Sequence, residues 1–375
     1  MIDDHRTGAA DTTTPVRATP DPASISANGA HGRRLRFAVI GYGYWGPQLV
    51  RNLDRLPTGQ VAYIVDLSED RRKAAQRDYP NIAVIAAMED ALGTDVDAVV
   101  VATPIRTHFA LARMALERGK HVFVEKPLTA NVAQAKTLSA LATRNGRVLM
   151  VGHTFMYNPA VEELRRLVQS GALGRVYYAD STRANLGIFQ NDINVIWDLA
   201  PHDLSILSYV LGVSPRRVSA HGGSYVRPDV VDVAHIVLRY PDDMMAHIHV
   251  SWLSPSKVRR FTIVGDKQMV VYDDVDSNEK IRVFNRGVDA PDHTVTFGEF
   301  QLSYRYGDIV SPYISGSEPL AVETRHFAEA IIEGNTPRSD ARDGLRVVRI
   351  LEAADTSMAR DGAFIEIEQD EQDQE

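Results

Sequence analysis

Leu35-Arg36-Phe37-Ala38-Val39-Ile40-Gly41-Tyr42-Gly43-Tyr44-Trp45-Gly46-Pro47 opens the stretch that decides the fold, which runs on to Asp66. Leu35 to Ile40 is a short apolar run of buried-strand character. Gly41 to Gly46 fits G-x-G-x-x-G, and Pro47 suits the first turn of a helix. Leu49, Val50, Leu53 and Leu56 then recur at helical spacing, and Thr58-Gly59 stops that helix. Val61 to Val65 reads as a second strand, and Asp66 stands at its end, 20 positions past Gly46.

Strand, glycines, helix, strand and acid in this order point to a dinucleotide site. The first glycine permits the tight turn, the second lets backbone approach a pyrophosphate, and the third lets helix and strand pack closely. The free N–H groups of the helix's first turn face the phosphates. Tyr44 and Trp45 belong to the same loop and join Gly41, Gly43 and Gly46 as cofactor-contact candidates. Asp66 can accept hydrogen bonds from both ribose hydroxyls. A carboxylate there repels a 2′-phosphate, which favours NAD, while Arg71 and Arg72 leave NADP open.

The chain has 375 residues, 44% hydrophobic and 24% charged, which suits two soluble domains of ordinary size. A formal charge of −8 without basic runs argues against nucleic acid as partner. The absence of cysteine excludes disulfides, thiol catalysis and Cys-ligated metals, and fits a reducing cytosol. Residues 1–34 are polar and Pro-rich and read as a disordered tail. Arg33-Arg34 suggests a twin-arginine export signal, but the following apolar run ends at Gly41 and belongs to the nucleotide site, so a cytoplasmic protein is expected. No stretch reads as a membrane span. Glu366 to Glu375 is acidic and expected to fray, with 368–375 as a tail.

Over 35–152 strands alternate with helices. Ser68 is placed as N-cap of a helix Glu69 to Arg77. Asp97 to Ala102 is a continuous apolar strand, ended by Thr103-Pro104 at the edge where ligands bind in such sheets. Phe109 to Arg118 reads as a helix closed by Gly119, and His121 to Glu125 as a strand broken by Lys126-Pro127. Asn131 to Arg144 follows as helix and Arg147 to Val151 as strand. This rhythm predicts a mostly parallel sheet with helices on both faces. Over 153–367 the pattern changes. Pro159 to Gln169 is an amphipathic helix, Val176 to Arg183 a strand, and His202 to Val210 a short helix. Arg217 to Val226, Val230 to Arg239, Met244 to Trp252, Val258 to Val264, Met269 to Tyr272 and Lys280 to Phe284 then follow as strands. Without crossover helices they imply a large, mostly antiparallel open sheet. Its outer face must be covered, and self-association is the expected means. Helices return at Val322 to Ile332 and Gly344 to Ala359 and are expected to pack back near the first domain.

Two segments carry chemistry. Glu125-Lys126-Pro127 sits on the edge of the glycine loop, where a lysine can reach the nicotinamide end of a dinucleotide and exchange a proton with a substrate hydroxyl; the tripeptide alone reads equally well as an ordinary surface lysine after a strand. In Trp197-Asp198-Leu199-Ala200-Pro201-His202-Asp203, Asp198 and His202 share a face if the segment is helical. A carboxylate-oriented histidine moves protons; taken alone, the segment reads slightly better as a helix N-cap with a satisfied histidine.

The glycine motif, Asp97 to Pro104, Gly119 to Leu128 with its Glu-Lys-Pro, and Asp198-x-x-x-His202 occur in the order that resembles the glucose–fructose oxidoreductase, inositol dehydrogenase and MocA (Gfo/Idh/MocA) family, over about Arg36 to Ile367. The resemblance implies an α/β fold: an N-terminal Rossmann domain plus a C-terminal α/β domain whose open sheet often serves as the oligomer interface. It implies hydride transfer between nicotinamide and a carbon of a sugar, nucleotide sugar or cyclitol. By position Lys126 and His202 resemble the family's catalytic lysine and histidine, and Asp198 their companion carboxylate. Asn191 to Trp197 departs from the glycine-rich run common before the aspartate, and Pro201 from the glycine-isoleucine common before the histidine. Gly152 to Pro159 and Arg183 to Gly187 are similar to sugar and nucleotide-sugar dehydrogenases and ketoreductases.

On this reading Thr103, Pro104, His108 and Glu125 line the nicotinamide side with Lys126. His202 or Lys126 takes the hydroxyl proton, with Asp198 orienting the pair. Tyr157, Asn158, Arg183 and Asn185 are the substrate-contact candidates, each equally readable as a structural polar contact. His235, His247 and His249 offer no fourth ligand, so no metal is expected. Three functions compete: a sugar dehydrogenase, possibly at C3 of a pyranose; an NADPH-dependent ketosugar reductase; and a non-catalytic dinucleotide sensor.

Overall fold

The computed structural model describes residues 33–93, 95–190, 193–289 and 303–369. The expected tails over 1–32 and 370–375, and the departures at Asn191 and Asp192, lie outside the described residues. The described residues from Arg34 onward form one compact unit containing two sheets.

The first half runs β1 (Leu35–Ile40), α1 (Gly46–Asp54), β2 (Gly59–Val65), α2 (Glu69–Asp78), β3 (Ala83–Ile85), α3 (Met88–Leu92), β4 (Ala98–Val101), α4 (Ile105–Glu117), β5 (His121–Glu125), α5 (Val132–Arg144) and β6 (Leu149–Gly152). Its six strands lie parallel in the order β3-β2-β1-β4-β5-β6. Strand β4 is buried throughout, as its unbroken Ala-Val-Val-Val run requires. Ile40 pairs with Val101 and Val101 with Val124, so the turns after β1, β4 and β5 share one edge. Chain direction away from the centre reverses between β1 and β4, which is where open α/β sheets bind ligands.

Ser68 and Asn131 cap α2 and α5 by accepting from the main-chain N–H of Arg71 and Gln134. Helix α4 begins at Ile105, four residues before the expected Phe109. Pro104, fixed at φ −59, serves as its N-cap and directs the chain into the helix at once. Strand β3 and helix α3 were not expected; three and five residues are too few to show a period.

The second half opens with a tight turn at Thr154–Tyr157, then α6 (Pro159–Gln169), β7 (Val176–Leu186), α7 (Val195–Leu211), β8 (Arg217–Gly223), β9 (Val233–Arg239), β10 (Met245–Ser251), β11 (Leu253–Gly265), β12 (Met269–Asp273), β13 (Ile281–Asp289), β14 (Ser303–Val310), α8 (Pro319–Glu333), α9 (Ala341–Met358) and β15 (Ile365–Glu366). Nine strands lie in the order β14-β13-β12-β11-β7-β10-β9-β8-β15. The β7–β10 pair is parallel and the remaining pairs are antiparallel. Helix α7 starts at Val195, seven residues before the expected His202. Asn194 caps it by accepting from the Trp197 N–H, and Pro201 lies inside it. A proline deletes one helical hydrogen bond; here Val195, Ile196, Trp197, Ala200 and Leu204 are buried, and packing holds the element together.

Helix α8 packs on α1 and on the Thr154–Tyr157 turn, and α9 on α5, α7, β6 and β8. Phe327 of α8 meets Phe37 and Phe123 at ring distances of 6.2 and 5.7 Å. The C-terminal end is more ordered than expected. Ile365 pairs with Val218, Glu368 bonds Lys136, and Gln369 donates to the Pro215 carbonyl, so fraying does not begin at Glu366. Arg34 likewise leaves the expected tail, donating to the Leu56 and Gly59 carbonyls. Helix α7 covers one face of β7, β9 and β10. On the opposite face His221, His235 and His249 stand side by side across β8, β9 and β10.

Candidate active site

The glycine turn has two kinds of glycine. Gly41 sits at φ +99, and a Cβ there would lie 2.4 Å from the Ala102 carbonyl oxygen. A Cβ on Gly46 would lie 2.2 Å from the Gly41 carbonyl oxygen. Both positions are fixed by the fold's own close packing. At Gly43 the nearest atom would be the Arg71 guanidinium at 3.5 Å, an ordinary contact, so nothing in the protein forbids a side chain there. Space kept open beside the N-terminus of α1 fits the approach of a phosphate, and the residues present fit a dinucleotide.

Asp66, 7% exposed, closes this end. Its Oδ2 accepts from the Tyr42 N–H and its Oδ1 from the Ser68 N–H, both at 2.8 Å. Arg71 Nη1 stands 3.7 Å from the same carboxylate. Tyr44 is exposed and packs edge-on against the part-exposed Trp45, ring centroids 5.7 Å apart. Thr103 and Pro104 lie at the end of β4, with the Thr103 hydroxyl 2.7 Å from that of Thr107. His108 differs from expectation. It is buried, with Nδ1 2.8 Å from the Pro127 carbonyl and Nε2 2.7 Å from the Thr103 carbonyl. Both nitrogens are occupied by backbone, so His108 braces the turns after β4 and β5 from behind instead of lining the groove.

At the end of β5, Lys126 Nζ donates to the Asp198 carbonyl at 2.7 Å and meets the Asp198 carboxylate at 3.3 Å. Asp198 Oδ2 accepts from the Trp252 indole at 3.0 Å. His202 lies one turn along α7 from Asp198, its ring edge-on to Phe155 at 5.1 Å. The expectation that Asp198 orients both partners needs correction. Asp198 holds Lys126, while His202 Nδ1 is sealed from solvent with no hydrogen-bond partner among the described residues. Burial first, then the charges of Lys126, Arg183 and Arg259, hold His202 well below the usual imidazole range, so it stands neutral.

Three of the four substrate-contact candidates are engaged elsewhere. Tyr157 is 1% exposed, and its hydroxyl lies 3.0 Å from that of Ser339. Asn158 caps α6 through the Ala160 N–H and donates to the Tyr272 hydroxyl. Arg183 forms a buried two-pronged ion pair with Asp203, Nε–Oδ2 2.8 Å and Nη2–Oδ1 3.1 Å, over the Phe155 ring at 4.5 Å. These bonds orient Tyr157, Asn158 and Arg183 toward their own fold. Asn185 is half-buried near the end of β7 beside Gly187.

The residues that sequence reasoning missed are those that support the site. Phe155 underlies His202, Arg183 and Arg259, and Trp252 anchors Asp198. His153 is fully buried with neither ring nitrogen partnered among the described residues, and burial followed by the charge of Lys126 pushes it down to about 3. Glu125 is 7% exposed; burial pushes its carboxyl up to about 7 against the opposing charge of Lys126. Away from the site, the His235 and His249 rings stack at 4.4 Å, and His247 bonds Asp180 at 2.9 Å. Among the described residues no group of three or more His, Cys, Asp or Glu is arranged to hold a metal ion, and no helix is long and apolar enough to cross a membrane.

Residues 35–153 match the family described as "Oxidoreductase family, NAD-binding Rossmann fold", and residues 161–271 match the GFO/IDH/MocA C-terminal domain. An uncharacterized oxidoreductase, YdgJ, of Escherichia coli is 31% identical over 263 residues, 66% of this chain and 73% of that protein. UDP-N-acetylglucosamine 3-dehydrogenase of Acidithiobacillus ferrooxidans is 30% identical over 263 residues, 68% of this chain and 78% of that protein. The NAD complex of GenD2 from gentamicin A biosynthesis superimposes with a TM-score of 0.76 at 24% identity, covering 92% of this chain and 100% of that one. Glycine turn, Asp66, the Lys126–Asp198 pair and both family matches agree: this chain belongs to the Gfo/Idh/MocA family of NAD-binding oxidoreductases.

Proposed function

We propose that the protein oxidises a secondary alcohol of a sugar, nucleotide sugar or cyclitol, with C3 of a pyranose as the favoured position. The observation that carries this reading is the Lys126–Asp198 ion pair at the sheet edge, one helical turn from a neutral His202. The substrate class draws on relatives named UDP-N-acetylglucosamine 3-dehydrogenase and scyllo-inositol 2-dehydrogenase (NAD(+)). Gly43 to Gly46 would hold the pyrophosphate, Asp66 the adenosine ribose, and Thr103, Pro104 and Lys126 the nicotinamide end. NAD supplies the hydride acceptor. His202, neutral, takes the hydroxyl proton, and Lys126, aligned by Asp198, donates a hydrogen bond to the same oxygen as its charge develops. Asn185 remains the substrate-contact candidate.

The test is Lys126→Ala assayed against a panel of sugars, nucleotide sugars and cyclitols, with NADH formation as readout. Loss of a hydrogen-bond donor aimed at the reacting oxygen lowers turnover by about 10² to 10³, with NADH still bound. Turnover near that of the wild type would refute the assignment. Arg71, 3.7 Å from Asp66, supports a second reading as an NADPH-dependent ketosugar reductase. Titration with NADH and NADPH side by side separates the two. The histidine-bearing face of the nine-stranded sheet supports self-association, to be read from the sedimentation coefficient.

A further inference from the structure

The buried groups that this chemistry leaves unused converge at one place. Glu323 of α8 is 0% exposed; its Oε2 accepts from the Thr154 hydroxyl at 2.8 Å, and its Oε1 has no partner among the described residues. Glu125 lies close enough to raise its pKa further. Glu125 Oε2 receives only a long 3.3 Å bond from the Lys126 N–H, and its Oε1 is also unpartnered. Gly152 lies against Glu125, since a Cβ there would meet Glu125 Oε2 at 3.1 Å, and leads directly into His153 with its two unpartnered nitrogens. Lys126 does not neutralise the pair at contact distance, because its ammonium is turned to Asp198.

Lys126 comes from the end of β5, and His153 and Tyr157 from the turn after β6. On α8 itself, His326 faces Tyr157 and Arg338. On α1, Arg51 is held by Glu318 at the start of α8. Glu125 and Glu323 are thus two buried carboxyls with no salt bridge among the described residues. A lone buried carboxylate is costly, and two neighbours cannot both ionise cheaply.

Their position gives this a use. With the adenosine ribose at the end of β2 and the pyrophosphate at the end of β1, the remaining half of a dinucleotide continues over β4 and β5, at about 5 Å per strand. Glu125 is the last residue of β5. The oxidised nicotinamide ring carries a positive charge and the reduced ring none. We infer that Glu125 and Glu323 form a buried acid pair that adjusts its charge to the redox state of the bound cofactor, losing a proton to solvent when NAD⁺ binds and regaining one when the ring becomes neutral. The overall reaction stays balanced: the alcohol loses a hydride to NAD⁺ and a proton to His202, and the ketone, NADH and one proton result. The acid pair rebinds a proton from solvent as the ring is reduced and releases it again on exchange for fresh NAD⁺.

This rests on the direction of the dinucleotide given above. A nearby positive charge lowers a carboxyl pKa by about 1 to 3. With Glu125 starting at about 7 and falling by about 2, NAD⁺ binding releases about 0.8 proton per chain at pH 6, about 0.5 at pH 7 and about 0.1 at pH 8. The experiment mixes the full chain with saturating NAD⁺ or NADH in weakly buffered solution and reads proton release with an indicator dye. Binding is followed separately by NADH fluorescence and by NAD⁺ competition. The expected result is release with NAD⁺, decreasing from pH 6 to pH 8, and little with NADH. The double variant Glu125→Gln, Glu323→Gln should lose the difference. Equal proton counts for the two bound forms in the wild type would overturn the inference without any variant, and so would release that survives in the double variant. Failure of both nucleotides to bind would instead overturn the cofactor site itself.

Discussion

Replacing Arg183 by Ala tests whether this residue belongs to the fold or to the substrate. Its guanidinium grips Asp203 with two bonds, and the two side chains are only 6% and 1% exposed. Without Arg183, Asp203 keeps a single side-chain donor, the Ser181 hydroxyl at 2.9 Å, in a site that water does not reach. Removing one partner of such a pair costs about 3–5 kcal/mol. Loss of the Phe155 ring contact adds about 0.5–2 kcal/mol. Against a domain stability of about 5–15 kcal/mol, this is a large fraction. Urea unfolding measures it, and a compensated variant isolates the cause. Arg183→Met combined with Asp203→Leu removes both charges together and should recover most of the loss, because a buried pair is readily replaced by apolar side chains of similar volume. NADH binding to each variant checks that the dinucleotide site survives. An Arg183→Ala protein within about 1 kcal/mol of the wild type, yet unable to bind a sugar that the wild type binds, would refute the argument and return Arg183 to the substrate site.

Gly43→Ala and Gly46→Ala should separate ligand space from fold space. The first should leave the melting temperature in place and weaken NADH binding at least about tenfold, or about 1.4 kcal/mol, whereas the second forces a Cβ onto the Gly41 carbonyl and should lower the melting temperature. Asp66→Ser removes the carboxylate beside Arg71 and should tighten NADPH relative to NADH by about tenfold or more; an unchanged ratio in a paired fluorescence titration would show that Arg71 cannot reach a 2′-phosphate. Glu323→Gln gives a stability test with a definite sign. The wild-type carboxyl is pushed well above its ordinary 4.5, so its contribution is fully present below that value and is lost as pH rises. The cofactor-free variant should therefore gain on the wild type above pH 4.5 by up to about 1.4 kcal/mol per pH unit; a gap in urea stability that is the same at pH 5 and pH 8 would contradict it.

The cofactor half of this chain is legible because its requirements are local. Gly41 needs its positive φ, Pro47 suits a first helical turn, and Asp66 closes a strand of known length; each condition sits within a few residues of its cause. The surroundings of the substrate candidates are hidden for the opposite reason. A sequence states which donors Arg183, Tyr157 and Asn158 carry, but not that Asp203, Ser339 and Tyr272 already engage them. Those partners lie 20, 182 and 114 positions away. His108 is the same case at shorter range. Its place beside Thr103-Pro104 suggested a groove contact, and only the return of the chain at Pro127 shows a brace. Helix α7 starts before the expected His202 because burial along it, which outweighs Pro201 inside it, is a property of the assembled core.

That longer α7 changes how the Lys126 site is built. Lys126 follows directly on β5 of the parallel sheet, Asp198 belongs to α7, and Trp252 to the corner between β10 and β11 of the second sheet. Asp198 bonds both of the others, so one carboxylate fixes the ammonium's position relative to two sheets at once. Trp252 is 1% exposed and its indole N–H finds its acceptor on Asp198. The tryptophan's packing in the second sheet is thereby transmitted to the carboxylate that aligns Lys126. His202 lacks such a tether: it is positioned by Phe155 and by the helix itself. A defect at Trp252 should accordingly disturb Lys126 before it disturbs His202, although Trp252 lies 126 positions from Lys126 in the chain.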